Sequence, residues 1–174
     1  MDILPVNSPR FLPTPCGWAE NVSRKNMGDM ARLVVELLVS DFAKSLKFYT
    51  EVLGFKQIYD RPEEAFAYLD RNGAQIMIVQ HEDGDERSWI AGELVQPFSR
   101  GMNLEIEVED VEALHASCVR HGARIFLAME EKWYRRDALL LGVRQFIVLD
   151  PDGYLLRLSQ SLGTKAVSGK SRDG

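Results

Sequence analysis

Val148-Leu149-Asp150-Pro151-Asp152-Gly153 is followed, seven residues after its glycine, by Gln160. An earlier stretch has the same form: Tyr68-Leu69-Asp70-Arg71-Asn72-Gly73, with Gln80 at the same distance. Upstream of each lies a helix start, Val39-Ser40-Asp41 in the first half and Val108-Glu109-Asp110 in the second. An internal repeat of this size sets the architecture before any single residue is considered, and it marks equivalent positions where a paired site would be built.

Working outward, Arg32–Val39 reads as a buried strand. Asp41 can cap a helix whose apolar face is Phe42, Leu46, Tyr49 and Leu53, with Gly54 as its left-handed terminator. Strands are expected at 55–60, 64–70 and 74–80, the last two joined by a tight hairpin at Asn72-Gly73. A 21-residue connection, 81–101, separates the halves, a length that hints at function or at a crossover. The second half repeats the order: a strand at 102–108, a helix from Asp110 to His121 ended by Gly122, then strands at 123–128, 142–149 and 154–160. Each half is βαβββ. The expected fold class is α+β, two βαβββ modules (about 30–80 and 102–160) forming a cupped mixed sheet within a domain spanning 30–162. Four strands and one helix leave one sheet face for a sister module or another subunit. Residues 1–29, with four prolines and no sustained period, read as an extension, and 163–174 as a flexible tail.

Composition excludes several classes. No apolar run approaches the roughly 18 residues a membrane helix needs, and the first residues lack the charged-then-apolar order of a secretory signal. Cys16 and Cys118 are far apart, and Cys118 falls among apolar helix positions, as a buried thiol would. A cytoplasmic location follows. The net charge of −5 argues against a nucleic-acid partner. Residues 1–29 are neutral and 163–174 carry +2, so the body carries −7, which suits a cationic ligand or simple solubility.

Strand alternation sorts the side chains. Leu104, Ile106 and Val108 belong against the helix, which leaves Asn103, Glu105 and Glu107 on the concave face. By the same parity Leu155 and Arg157, Gln75, Met77 and Val79, and Val34, Glu36 and Leu38 face that way. The repeat equates Val34 with Asn103 and Met77 with Arg157. The three glutamates fit a solvated face as well as a site.

The paired modules, Phe48-Tyr49-Thr50-Glu51-Val52-Leu53-Gly54-Phe55 and Asp150-Pro151-Asp152-Gly153-Tyr154-Leu155-Leu156-Arg157 resemble the vicinal oxygen chelate superfamily over residues 30–162. That group comprises glyoxalase I, extradiol dioxygenases, fosfomycin-resistance enzymes and bleomycin-resistance proteins. The resemblance implies a divalent metal held at four concave positions, which here are Val34, Met77, Asn103 and Arg157. None suits it: valine has no donor atom, methionine is a soft thioether, asparagine offers a neutral carbonyl, and arginine is a fixed cation. No metal and no other cofactor is therefore expected. His81, His115 and His121 lie at a strand exit and on the second helix, away from that face.

A metal-free cup points to capture instead of turnover, so the chain is not expected to be an enzyme. Among the relatives it is most similar to bleomycin-resistance proteins, through Val148–Gln160 and Ser88-Trp89. That resemblance implies a homodimer that sequesters a bleomycin-family glycopeptide antibiotic in clefts at the subunit boundary. Such a ligand, flat at one end and cationic at the other, needs aromatic planes and carboxylates. The candidate planes are Trp89, Phe98, Trp133, Tyr134 and Phe146, with Trp133-Tyr134 on a polar lip at 129–141. The candidate carboxylates are Glu36, Glu105 and Glu107; Met77, Asn103 and Arg157 complete the set. Arg157 could instead favour an anion, or pair with Glu36 or Glu105. The alternatives are a metal-dependent lyase or dioxygenase with a displaced metal site, and a protein of the same fold that binds another metabolite.

Overall fold

The computed structural model describes residues 30–81, 90 and 92–167. The extension at 1–29 and Trp89 lie outside the described residues. Residues 31–167 contain two four-stranded mixed sheets. The first holds β1 (Val35–Val39), β2 (Lys56–Arg61), β3 (Phe66–Arg71) and β4 (Ala74–Gln80), in the spatial order β1-β4-β3-β2. The second holds β5 (Asn103–Glu107), β6 (Arg124–Arg136), β7 (Leu139–Leu149) and β8 (Leu155–Ala166), in the order β5-β8-β7-β6. The orders match strand for strand. In each module the first and last strands run parallel, with Glu36 opposite Met77 and Glu105 opposite Arg157.

The repeat seen in sequence has a mechanical meaning. Helix α1 (Phe42–Lys47) follows β1 and α2 (Val111–Arg120) follows β5. Asp41 accepts from the Lys44 N–H at 3.0 Å, and Asp110 accepts from the Ala113 N–H at 2.9 Å. Gln80 Oε1 accepts from the Phe42 N–H (3.0 Å) and Gln160 Oε1 from the Val111 N–H (3.2 Å). Each helix thus spends two of its orphan donors on one aspartate and one glutamine at repeat-equivalent positions. At the other end of α2, Gly122 (φ +68°) lets its own N–H reach Val119 O and the Ala123 N–H reach Cys118 O, a Schellman closure that needs the left-handed conformation.

Four expectations need correction. The first helix is α-helical only to Lys47; Phe48–Val52 is a π-helical turn, with the Leu53 N–H bonded to Phe48 O. Thr50 Oγ1 donates to Leu46 O at 2.7 Å, the kind of side-chain insertion that widens a helix. β1 begins at Val35, not Arg32, since its ladder to β4 starts at Ile76 and Leu33 is 81% exposed. The supposed lip at 129–141 is not a loop. β6 and β7 form one long hairpin through it, held by polar cross-strand pairs such as Glu131–Arg144 (2.6 Å) that leave no apolar period to read. β8 continues to Ala166, so residues 163–166 of the expected tail are strand, paired with Leu139–Gly142.

Leu37, Val39, Ile76 and Ile78 of the first sheet, and Ile106, Phe146, Leu156 and Leu158 of the second, belong to one core cluster that also takes in Tyr49, Val52, Leu114 and Cys118 from the helices. Cys118 is the buried thiol its position implied, and burial pushes it up to about 11. The modules join through their helical layers: Ser117 Oγ donates to Val52 O at 2.9 Å. The Asp150–Gly153 turn locks this seam. Asp150 accepts from the Tyr49 hydroxyl (3.0 Å) and from the N–H groups of Asp152 and Tyr154. Asp152 accepts from Ser40 N, Ser40 Oγ and Gln96 Nε2, and the Tyr154 hydroxyl reaches Leu38 O. Gly153 (φ +88°) is required as well by contact, since a Cβ there would stand 2.5 Å from that of Pro97. No helix among the described residues is long and apolar enough to cross a membrane.

Candidate functional site

The helices cover one face of each sheet, and strand parity puts the side chains expected on the concave side on the two helix-free faces. On the first sheet Glu36 is exposed and Met77 half-buried beside it, with Val34 just ahead of β1. On the second, Asn103, Glu105 and Glu107 are exposed and Arg157 is half-buried. These residues divide between separate sheets, and no strand of one sheet pairs with the other.

The second face is a polar network. Arg157 forms an ion pair with Glu105, which also accepts from Ser159 Oγ at 3.2 Å. This settles the choice the sequence left open, in favour of pairing with Glu105. Next to it, Gln145 Nε2 donates to Glu130 Oε1 (2.8 Å) and to the Tyr134 hydroxyl (3.0 Å). The carboxylate can only accept, so it fixes which end of the Gln145 amide points its way. Two buried polar atoms on this face, Gln145 Oε1 and Arg157 Nε, have no hydrogen-bond partner. They are an acceptor and a donor, the kind of unspent capacity that buried water or a ligand would satisfy.

The residues fit a metal poorly. Of the four positions that would hold one, only Asn103 has a hard donor atom, and the nearest carboxylate, Glu105, is taken by the Arg157 guanidinium. Among the described residues no three His, Cys, Asp or Glu side chains converge.

Three of the aromatic residues expected on the cup are elsewhere. Phe146 is fully buried on the helix side, edge-on to His115 at 4.9 Å; its parity partners Leu156 and Leu158 are core, which the sequence reading overlooked. Phe98 packs edge-on against Tyr154 at the module seam. Trp133 and Tyr134 are neighbours on a strand, so they face opposite ways. Tyr134 reaches the network through Gln145, while Trp133 lies against Gly142 with Lys165 Nζ 3.7 Å from its ring centre.

The aromatic cluster that the sequence reading missed belongs to the first sheet, with Phe66 and Tyr68 buried and Tyr59 half-buried. Tyr59 stacks on Tyr68 at 5.1 Å, and the Arg61 guanidinium sits 3.7 Å over Phe66. Phe66 and Tyr68 pair with Val79 and Met77, which places them on the helix-free face. The Tyr68 hydroxyl donates to Gln75 Oε1 at 2.7 Å. Desolvation raises the pKa of both tyrosines. The signal was available: applying the parity of Gln75, Met77 and Val79 to the hairpin partner strand selects Phe66 and Tyr68.

Comparison with known proteins agrees with this architecture. The family described as the glyoxalase/bleomycin resistance protein/dioxygenase superfamily matches residues 33–158, and the chain belongs to that superfamily. It is similar to the uncharacterized protein YraH of Bacillus subtilis (strain 168), 28% identical over 138 residues that cover 76% of this chain and all of YraH. Among solved structures it is similar to TioX from Micromonospora sp. ML1, with 22% identity, a TM-score of 0.56, and coverage of 80% of this chain and 99% of that one. A glyoxalase-related enzyme from Fulvimarina pelagi superposes with a TM-score of 0.55 at 21% identity, over 75% and 87% of the two chains. At these identities the structural likenesses establish the fold alone.

Proposed function

We propose that this protein binds a small molecule without a metal and sequesters it, and that the ligand is of the bleomycin-family glycopeptide type. One observation carries the metal-independent part: the position that would present a metal ligand on β8 presents Arg157, and that cation already holds Glu105. A divalent ion there would meet a guanidinium and would have to displace it from the carboxylate. The ligand class rests on the sequence resemblance, and the two faces supply complementary chemistry for it. The first sheet offers Tyr59, half-buried and stacked on the buried Tyr68, on the same helix-free face as Glu36 and Met77. The second offers the Glu105, Glu107 and Glu130 carboxylates with spare hydrogen-bonding atoms at Gln145 and Arg157.

Within one chain the helical layers meet and the two helix-free faces lie on separate sheets. A homodimer that sets the first face of one subunit against the second face of its partner would bring the aromatic and acidic surfaces together around one ligand. Calorimetric titration with bleomycin, in chelator-treated buffer, tests this reading. Saturable binding at one ligand per chain is expected. Absence of heat at micromolar drug removes the glycopeptide assignment.

A further inference from the structure

A cleft of about 610 Å³ opens on the helical side of the molecule, away from both helix-free faces. It lies at the module seam, between α1 with its π-helical turn on one side and the end of α2 with the Asp150–Gly153 turn on the other. Its volume is that of an ordinary small-molecule site. Phe48, Val52, Leu149, Pro97 and Pro151 give it an apolar lining. Phe48 and Val52 keep 8% of their surface exposed although they belong to the core cluster, so the cleft reaches core side chains.

The polar groups around it are asymmetric. Lys44 and Lys47 project from successive turns of one helix and Arg124 from the start of β6, and all three are exposed. Lys47 has only a 3.9 Å contact with Glu51 on the same exposed helix, worth little in water. Among the described residues Lys44 and Arg124 form no ion pair. Two carboxylates also line the cleft, Asp150 and Asp152, but they are buried and their oxygens are engaged. Tyr49 and two backbone N–H groups occupy Asp150, while Ser40 and Gln96 occupy Asp152. The three cations stand at the exposed mouth and outnumber the two carboxylates, which lie deeper and are hydrogen-bonded only to neutral donors, so the lining is net positive at its rim and largely apolar between Phe48, Val52 and Leu149.

We propose that this cleft is a second binding site, for an amphipathic anion: a carboxylate at the Lys44–Lys47–Arg124 rim with an aliphatic body against Phe48, Val52 and Leu149. Charge complementarity selects the head group, and the apolar lining rejects a small hydrated anion. The site is independent of the helix-free faces, so occupancy of one leaves the residues of the other untouched.

Titration of the full chain with sub-micellar decanoate tests the proposal, with decyltrimethylammonium and inorganic phosphate as matched probes. Saturable decanoate binding is expected, weakened by roughly tenfold or more in the Lys44→Gln/Lys47→Gln/Arg124→Gln variant. Neither control probe should bind comparably, and Arg157→Met should leave decanoate affinity unchanged. All three neutralised side chains are exposed, so the fold is not at risk, and a thermal melt verifies it. Equal affinity for the cationic probe, no saturable binding of decanoate, or undiminished binding by the triple variant would overturn the assignment.

Discussion

Asp150 should make this protein less stable as the pH rises through the mildly acidic range. The carboxyl is buried, and desolvation is the largest influence on it, followed by the opposing hydrogen bonds from Tyr154, Tyr49 and Asp152; the result is a rise from 3.8 to about 6. The native state therefore holds this proton more tightly than the unfolded chain does. Stability from this group is fully present below about pH 4. It declines as the pH climbs toward 6 and is lost above it, since the folded protein binds more protons than the unfolded one across that window. A rise of that size corresponds to about 3 kcal/mol. Asp150→Asn should remove the dependence. The amide oxygen can accept from the Asp152 and Tyr154 N–H groups, and the amide nitrogen can donate to the Tyr49 oxygen, so every partner is kept. Urea denaturation of both proteins at pH 4.5, 5.5, 6.5 and 7.5 is the assay. The variant should gain on the wild type by about 2 kcal/mol between the lowest and highest pH, since part of the full effect is already lost at pH 4.5. A wild-type-minus-variant difference that stays constant with pH would refute the reasoning.

Further outcomes follow from the same contacts. Gly142→Ala places a Cβ 2.6 Å from the Trp133 ring; the ring must move, and a loss of about 1–3 kcal/mol with a shifted tryptophan emission is expected in a denaturation series. Gln80→Ala and Gln160→Ala should each cost about 1 kcal/mol, and by similar amounts, because each removes one acceptor from the first turn of its helix. Very different losses would break the symmetry between modules. Arg157→Met should change stability by less than about 1 kcal/mol, since its pair with Glu105 is partly exposed. It should also strengthen drug binding in calorimetry, because it frees the Glu105 carboxylate for a cationic tail and removes a like charge from the face.

The fold was legible because its determinants are local and occur twice. Asp41 with Gln80, and Asp110 with Gln160, are a helix cap and a strand end that meet, and their spacing is printed in the chain. Alternation likewise placed Glu36, Met77, Asn103, Glu105 and Arg157 on the helix-free faces. The lip at 129–141 was misread because its strands are held by charge pairs such as Glu131–Arg144, which carry no hydrophobic period. The π-helical turn depends on one threonine hydroxyl bonding backward to Leu46, a choice that helical periodicity cannot register. The aromatic residues were judged by their proximity in sequence to polar residues, where parity was the better guide: it sends Trp133 and Phe146 away from the network and brings Tyr68 and Phe66 to the helix-free face of the first sheet. The role of Asp150 and Asp152 in joining modules was hidden because their partners, Tyr49 and Ser40, lie more than a hundred residues away.

The most direct test of metal-independent capture is a pair of calorimetric titrations with metal-free bleomycin, one on chelator-treated protein and one on protein supplied with zinc. The same affinity and one ligand per chain are expected in both. Binding that appears only when the protein holds stoichiometric zinc would contradict the account.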